Sequence, residues 1–145
     1  MPYSFNDFKI QIRYFFQKSI PKGTRILDVG PGAGTYWKAL NDLGYNMDCI
    51  EIHKPYIKEF KLKEKYSNVF EGNIMDFDIS NYDVIILGDI LVAVPYEMEQ
   101  GEYKGNVYET HLQADLTPEI MLDRYPNLKL LIGNERYGYY INKKR

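Results

Sequence analysis

Three glycines at alternate positions, Gly30, Gly32 and Gly34, follow a short run of strand-forming residues, Ile26, Leu27 and Val29, in the stretch TRILDVGPGAGTY (24–36). A strand that stops in a glycine turn and feeds a helix leaves backbone N–H groups pointing into a crevice, an arrangement suited to a nucleotide-type cofactor. The competing reading is a glycine-rich turn that holds no ligand. Two carboxylates flank the turn. Asp28 lies two residues before Gly30, and Glu51 lies 21 residues beyond it, at the end of the next strand-like run, NMDCIEI. An acid at that second place can accept both hydroxyls of a ribose, chemistry shared by nucleotide sites in general. The spacing departs from the dinucleotide fingerprint G-x-G-x-x-G, whose third glycine falls here on Thr35.

The elements that must position these residues can be read in order. Residues 4–20 predict a helix, with Ser4 and Asp7 spaced like a capping box and Phe8, Ile12, Phe15, Phe16 and Ile20 at helical spacing. Pro21 and Gly23 end it. The first strand follows, then a short helix over 34–43 that stops at Gly44, and then the strand that ends in Glu51. Residues 55–66 predict another helix, and Val69 and Phe70 a brief third strand. The run Val84–Leu87 is apolar throughout, as suits a strand buried on both faces. Near the end, Thr117 and Pro118 open a short helix to about Tyr125, and LKLLI and YGYYI flank GNER as an antiparallel pair.

The run LDVGPGAG (27–34) resembles motif I of the class I S-adenosylmethionine-dependent methyltransferases. From about residue 24 to 142 the elements also follow the order of that family. The resemblance implies an α/β fold, Rossmann-like and doubly wound: a mostly parallel sheet with a C-terminal antiparallel hairpin, in three α/β/α layers. It implies S-adenosyl-L-methionine as cofactor, S-adenosyl-L-homocysteine as product and methyl transfer as the activity. Carried over residue by residue, Gly30, Pro31, Gly32 and Gly34 let the backbone approach the methionine part, and Asp28 helps to hold its ammonium end through the loop. Glu51, with Ile52 beside it, meets the ribose. Asn73 and Ile74, with Asp76 as a second candidate, meet the adenine edge. Gly88 and Asp89 match the fourth motif, whose backbone touches the amino-acid end. The family's usual acid is replaced by Asn73, whose carbonyl oxygen can still pair with the adenine amino group. The electrostatics agree, because this cofactor carries a sulfonium and an ammonium and no phosphate, so a nearby carboxylate attracts where pyrophosphate would be repelled.

One interval conflicts with such a sheet. LVAVPY (91–96) reads as a fifth strand, yet it begins about two residues after the fourth ends. A parallel neighbour needs a crossover of about a dozen residues or more. The spacing therefore predicts that a segment of roughly 20 to 30 residues is missing between Asp89 and Val92. The alternative is a naturally shortened domain with a rearranged sheet, and pairing of Ile86 with Val92 would mark a hairpin. Residues 95–116 then form a long polar connection that leaves the ligand side of the sheet and predicts a substrate lid. His111 in it is the candidate general base, with Tyr96, Tyr108 and Glu109 behind it. Tyr3 or Tyr14 is a further pocket candidate, and His53 borders the adenosine pocket.

Composition bounds the rest. The 145 residues suffice for one domain, divided as a helix (1–23), a cofactor-binding core (24–94), the lid (95–116) and a C-terminal helix and hairpin (117–145). A net charge of −2 gives no sign of a nucleic-acid binder, so the expected acceptor is a small molecule. The single cysteine excludes an intramolecular disulfide, and no histidine or acid cluster has metal-ligand spacing. No apolar run reaches about 18 residues and no signal-like start is present, so no membrane association and a cytoplasmic location are expected. Two function classes stand: a methyltransferase, and a non-catalytic S-adenosylmethionine-binding or regulatory protein with a truncated fold. A nicotinamide-dependent oxidoreductase is disfavoured by the glycine spacing.

Overall fold

The computed structural model describes residues 9–87, 102–103, 106–107, 122–133 and 138–142. Helix α1 (Lys9–Ser19) leads into strand β1 (Arg25–Val29), helix α2 (Thr35–Leu40) and strand β2 (Asn46–Glu51). Helices α3 (Lys54–Glu59) and α4 (Leu62–Lys65) precede β3 (Val69–Glu71), a 3-10 turn at Ile74–Asp76 and β4 (Val84–Leu87). Short strands β5 (Glu102–Tyr103) and β6 (Asn106–Val107) pair with each other, and β7 (Leu128–Gly133) and β8 (Gly138–Asn142) complete the main sheet.

That sheet has the order β3-β2-β1-β4-β8-β7. The first four strands are parallel, and β8 runs antiparallel to both β4 and β7. This is the Rossmann-like α/β fold with a C-terminal antiparallel hairpin that the sequence predicts. Run length explains why it is legible: each parallel strand is a short apolar stretch bounded by turn residues.

Side chains alternate across the sheet and divide the core in two. On one face Ile26, Met47, Cys49, Val84 and Ile86 pack against Ile12 and Phe16 of α1, Tyr36, Ala39 and Leu40 of α2, and Leu62 of α4. On the other face Leu27, Val29, Ile50, Ile85 and Leu87 meet Ile74, Ile79, Tyr82, Tyr125 and Leu128. Helices α1 to α4 thus all lie on the first face, α3 through the half-buried Ile57. The second is covered by the 3-10 turn, its following loop and the segment at Tyr125. The link from β3 to β4 carries only that turn.

Three expectations are corrected. The helix predicted over 55–66 is two helices, because Lys61 takes a left-handed conformation (φ 52°). The break lets the buried Leu62 and Tyr66 join the core on the same side. A fifth parallel strand beside β4 is absent from the described sheet: β4 has β1 on one edge and β8 on the other. Ile86 is registered with Tyr139, and with β1 on its other side β4 has no edge left for a further strand. Residues 88–100, with LVAVPY among them, lie outside the described residues. The connection over 95–116, expected to be a long polar loop, holds the two-stranded ribbon β5–β6.

α1 is tied down at both of its exposed flanks. The Arg13 guanidinium donates to both Asp42 oxygens (2.5 and 2.9 Å) and to the Ala39 carbonyl. The Tyr45 hydroxyl donates to the carbonyls of Ile20 and of Phe16, the second of which also accepts Ile20 N–H at the helix end. Of the predicted stripe, Ile12 and Phe16 are buried, Phe15 and Ile20 pack partly against them, and Phe8 lies outside the described residues.

Candidate cofactor site

Gly30, Gly32 and Gly34 all have positive φ, at 64°, 52° and 83°. Side chains rarely tolerate that region, so the alternate spacing of the glycines is the spacing of three left-handed turns. Gly30 N–H donates to the Ile50 carbonyl and Gly34 N–H to the Pro31 carbonyl, which folds the loop back between β1 and β2. Gly34 then serves as the N-cap of α2. Pro31, Gly32 and Ala33 are buried within the loop.

The two predicted carboxylates lie on the same sheet face. Asp28 is registered opposite Cys49, two residues before Glu51, so Asp28, Cys49 and Glu51 share a side. Asp28 is 1% exposed, and its Oδ2 accepts the Tyr66 hydroxyl at 2.6 Å. Its Oδ1 is buried and has no hydrogen-bond partner among the described residues. Burial raises the Asp28 carboxyl from its ordinary range to about 7; the Tyr66 hydrogen bond opposes this and Glu51 adds to it. Tyr66 is itself held well above the usual tyrosine range by burial and by the adjacent Asp28 charge.

Glu51 is 4% exposed. Its Oε1 accepts the N–H of Gly32 at 3.4 Å and its Oε2 the N–H of His53 at 2.9 Å. Burial raises its carboxyl, and the two backbone donors work against that. A carboxylate has about four acceptor positions, so these two bonds leave capacity for hydroxyl donors. His53 begins α3 as its N-cap, with its ring edge-on to Tyr56 at 4.4 Å. Ile52, between them, is half-buried.

Asn73 and Ile74 sit past the end of β3. The Asn73 side-chain oxygen accepts Met75 N–H at 2.9 Å and caps the 3-10 turn. Ile74 is buried in the core, and its carbonyl accepts the Tyr125 hydroxyl, which also reaches the Phe77 carbonyl at 2.6 Å. Asp76 closes the turn and is exposed. Tyr14 is exposed on α1, with Lys18 Nζ 4.9 Å from its ring centre. Gly88, Asp89, His111, Tyr3, Tyr96, Tyr108 and Glu109 lie outside the described residues. The geometry therefore gathers Asp28, the glycine loop and Glu51, while Asn73 and Ile74 follow the neighbouring strand.

Sequence reasoning passed over three residues, two of them in this region and one across the sheet. Tyr66 is one. Lys65 is another: its Nζ donates to the carbonyls of Ala33 (3.3 Å) and Phe60 (2.9 Å), tying α4 to the glycine loop. The third, Asp48, is a buried acid on the opposite face that accepts Asn68 N–H, Asn68 Nδ2 and the Tyr82 hydroxyl. A buried acid inside the apolar run NMDCIEI was its only signal. Among the described residues no group of three or more histidines, cysteines or acids could hold a metal ion, and no helix is long and apolar enough to cross a membrane.

The residues fit the cofactor implied by the glycine motif. A buried carboxylate oxygen without a donor suits an ammonium group, and the left-handed glycines leave their backbone without side chains. No protein-family model matches the chain, and no curated protein matches it in sequence. Solved structures do match. A dimethyladenosine transferase from Plasmodium falciparum is 22% identical over 66% of this chain, with a TM-score of 0.43; the chain spans about a third of its length (35%). A TehB-like SAM-dependent methyltransferase from Corynebacterium glutamicum is 13% identical, with coverage of 90% of this chain and 86% of that one and a TM-score of 0.46. The glycopeptide N-methyltransferase MtfA complexed with sinefungin is 12% identical, with coverage of 94% and 93% and a TM-score of 0.49. The parallel order β3-β2-β1-β4, the glycine loop between β1 and α2, and the antiparallel β8 set between β4 and β7 give this chain a Rossmann-like α/β fold.

Proposed function

We propose that the chain binds S-adenosylmethionine at the glycine loop and transfers its methyl group to a small-molecule acceptor. One observation carries the reading: three left-handed glycines lie between two buried carboxylates, one of which has an oxygen without a donor. When bound, the cofactor supplies a methyl group on a sulfonium, already an activated leaving group. The chain's residues would then bind, orient and exclude water. In this reading Asp28 meets the ammonium end, Glu51 both orders the loop through Gly32 and accepts ribose hydroxyls, and the turn at Asn73 and Ile74 borders the adenine. Gly88 and Asp89 meet the amino-acid end, the 95–116 connection is the lid over one domain, and His111 is the candidate base.

A second reading has its own observation. β8 occupies the edge of β4 where a fifth parallel strand was expected, which favours a non-catalytic S-adenosylmethionine-binding protein on a shortened sheet. Calorimetry with S-adenosylhomocysteine tests the shared part; no binding would reject both readings. Transfer of a labelled methyl group to a panel of small nucleophiles then separates them: label in an acceptor supports the enzyme, and binding without transfer across the panel supports the second reading.

A further inference from the structure

We propose that Tyr66 is a positioning residue that poises Asp28, so that binding of the cofactor's ammonium group expels one proton from the Asp28 carboxyl. The inference rests on the cofactor reading above and adds a proton to it.

The geometry divides the two oxygens of Asp28 between two tasks. Oδ2 is held by the Tyr66 hydroxyl at 2.6 Å, and Oδ1 is buried with no partner among the described residues. In the neutral carboxyl Oδ1 carries the proton; once ionised it is a buried acceptor without a donor, which a ligand can satisfy only by bringing an N–H or O–H. The sulfonium has neither, whereas the ammonium has three donors and a charge.

Among the described residues, the groups around Asp28 leave its charge uncompensated. From β2, Glu51 and Cys49 share its face; β4 presents Ile86 in register, which does not titrate. Beyond α4, Tyr66 donates but stays neutral, because burial and the carboxylates raise it. Lys65 engages the Ala33 and Phe60 carbonyls, and the His53 N–H serves Glu51. Two buried carboxylates on one face without a cation do not both ionise readily. Burial, then Glu51, hold Asp28 up near 7, while Tyr66 pulls it down. The balance at binding is simple: the neutral Asp28 carboxyl and a ligand ammonium give the carboxylate–ammonium pair and one proton, released to solvent.

The test is calorimetry of the whole chain at pH 6 in two buffers of different ionisation heat. The probes are S-adenosylhomocysteine and 5′-methylthioadenosine, which lacks the amino-acid part. The expected result is release of about one proton with the first and none with the second, and a five- to tenfold loss of S-adenosylhomocysteine affinity per pH unit below neutrality. Asp28→Asn should abolish the release. Tyr66→Phe, shown to be folded by circular dichroism, should move the pH at which affinity levels off upward, which a merely structural tyrosine would not do. Binding of S-adenosylhomocysteine without proton release, release that persists in Asp28→Asn, or an unmoved midpoint in folded Tyr66→Phe overturns this inference alone. Failure of S-adenosylhomocysteine to bind at any pH overturns the cofactor reading and the inference with it. Should Tyr66→Phe not fold, the proton count of the wild type against Asp28→Asn decides.

Discussion

The Glu51 carboxylate at the end of β2 accepts the backbone N–H of Gly32 at 3.4 Å, so the acid expected to meet a ribose also braces the glycine loop. Its other oxygen holds the first residue of the next helix segment through His53 N–H. One side chain thereby couples the end of a strand, the loop on its neighbour and the start of α3.

This double role makes a prediction for Glu51→Ala. Cofactor affinity should fall by ~1 to 3 kcal/mol as charge-assisted bonds are lost. Glu51→Gln keeps an acceptor for Gly32 and should recover part of the loss. Titration of both variants with S-adenosylhomocysteine checks this, and an unchanged affinity in the alanine variant would remove Glu51 from the site.

Gly32→Val tests the loop. At φ 52° a β-branched residue is strained, and its side chain would stand where the methionine part must approach. Binding should be lost, while far-UV circular dichroism stays close to that of the wild type and stability drops by about 1–3 kcal/mol. A variant that binds normally refutes the loop assignment.

Asp28 predicts an unusual stability profile. Its folded-state value near 7 lies above the ordinary 3.8. The folded chain therefore keeps a proton that the unfolded chain releases between those values. That contribution is fully present below about pH 4 and lost as pH rises through about 7. Asp28→Asn removes the dependence, so the variant should exceed the wild type at pH 8 by up to about 4 kcal/mol and converge with it near pH 4. Urea unfolding at several pH values measures it; a variant weaker than the wild type at pH 8 contradicts the assignment.

Tyr125 ties the end of the 122–125 segment to the 3-10 turn through the carbonyls of Ile74 and Phe77. Tyr125→Phe keeps the ring and removes the donor. A loss of about 1–3 kcal/mol is expected in chemical denaturation. A change of a few tenths would mean that water replaces the hydroxyl.

Much of this was legible in the residues. The strand runs ending at Val29, Glu51 and Leu87 and the closing hairpin are local patterns, set by alternation, apolar run length and bounding turns. The glycine spacing also reads locally, because left-handed conformations at alternate positions strongly favour glycine. Asp28 and Glu51 could be picked out because each sits at a fixed offset from that loop.

Other features are invisible until the chain folds. Tyr66 lies 38 residues from Asp28 and Lys65 32 from Ala33 in sequence, and neither has a local pattern pointing to the loop. The left-handed Lys61 that splits the predicted helix is an ordinary helix former, placed there as Leu62 and Tyr66 enter the core. The partner of β4 is also a tertiary outcome, since a strand's edge hydrogen bonds carry no identity and go to whichever strand can reach them. By itself the sequence determined the parallel strands, the left-handed glycine loop and its two acids, because those depend on neighbours in the chain. Only the tertiary structure decided that the acids share a buried face, that Tyr66 holds one of them, and that β8 closes directly on β4, because burial and edge pairing are set by residues far apart in sequence.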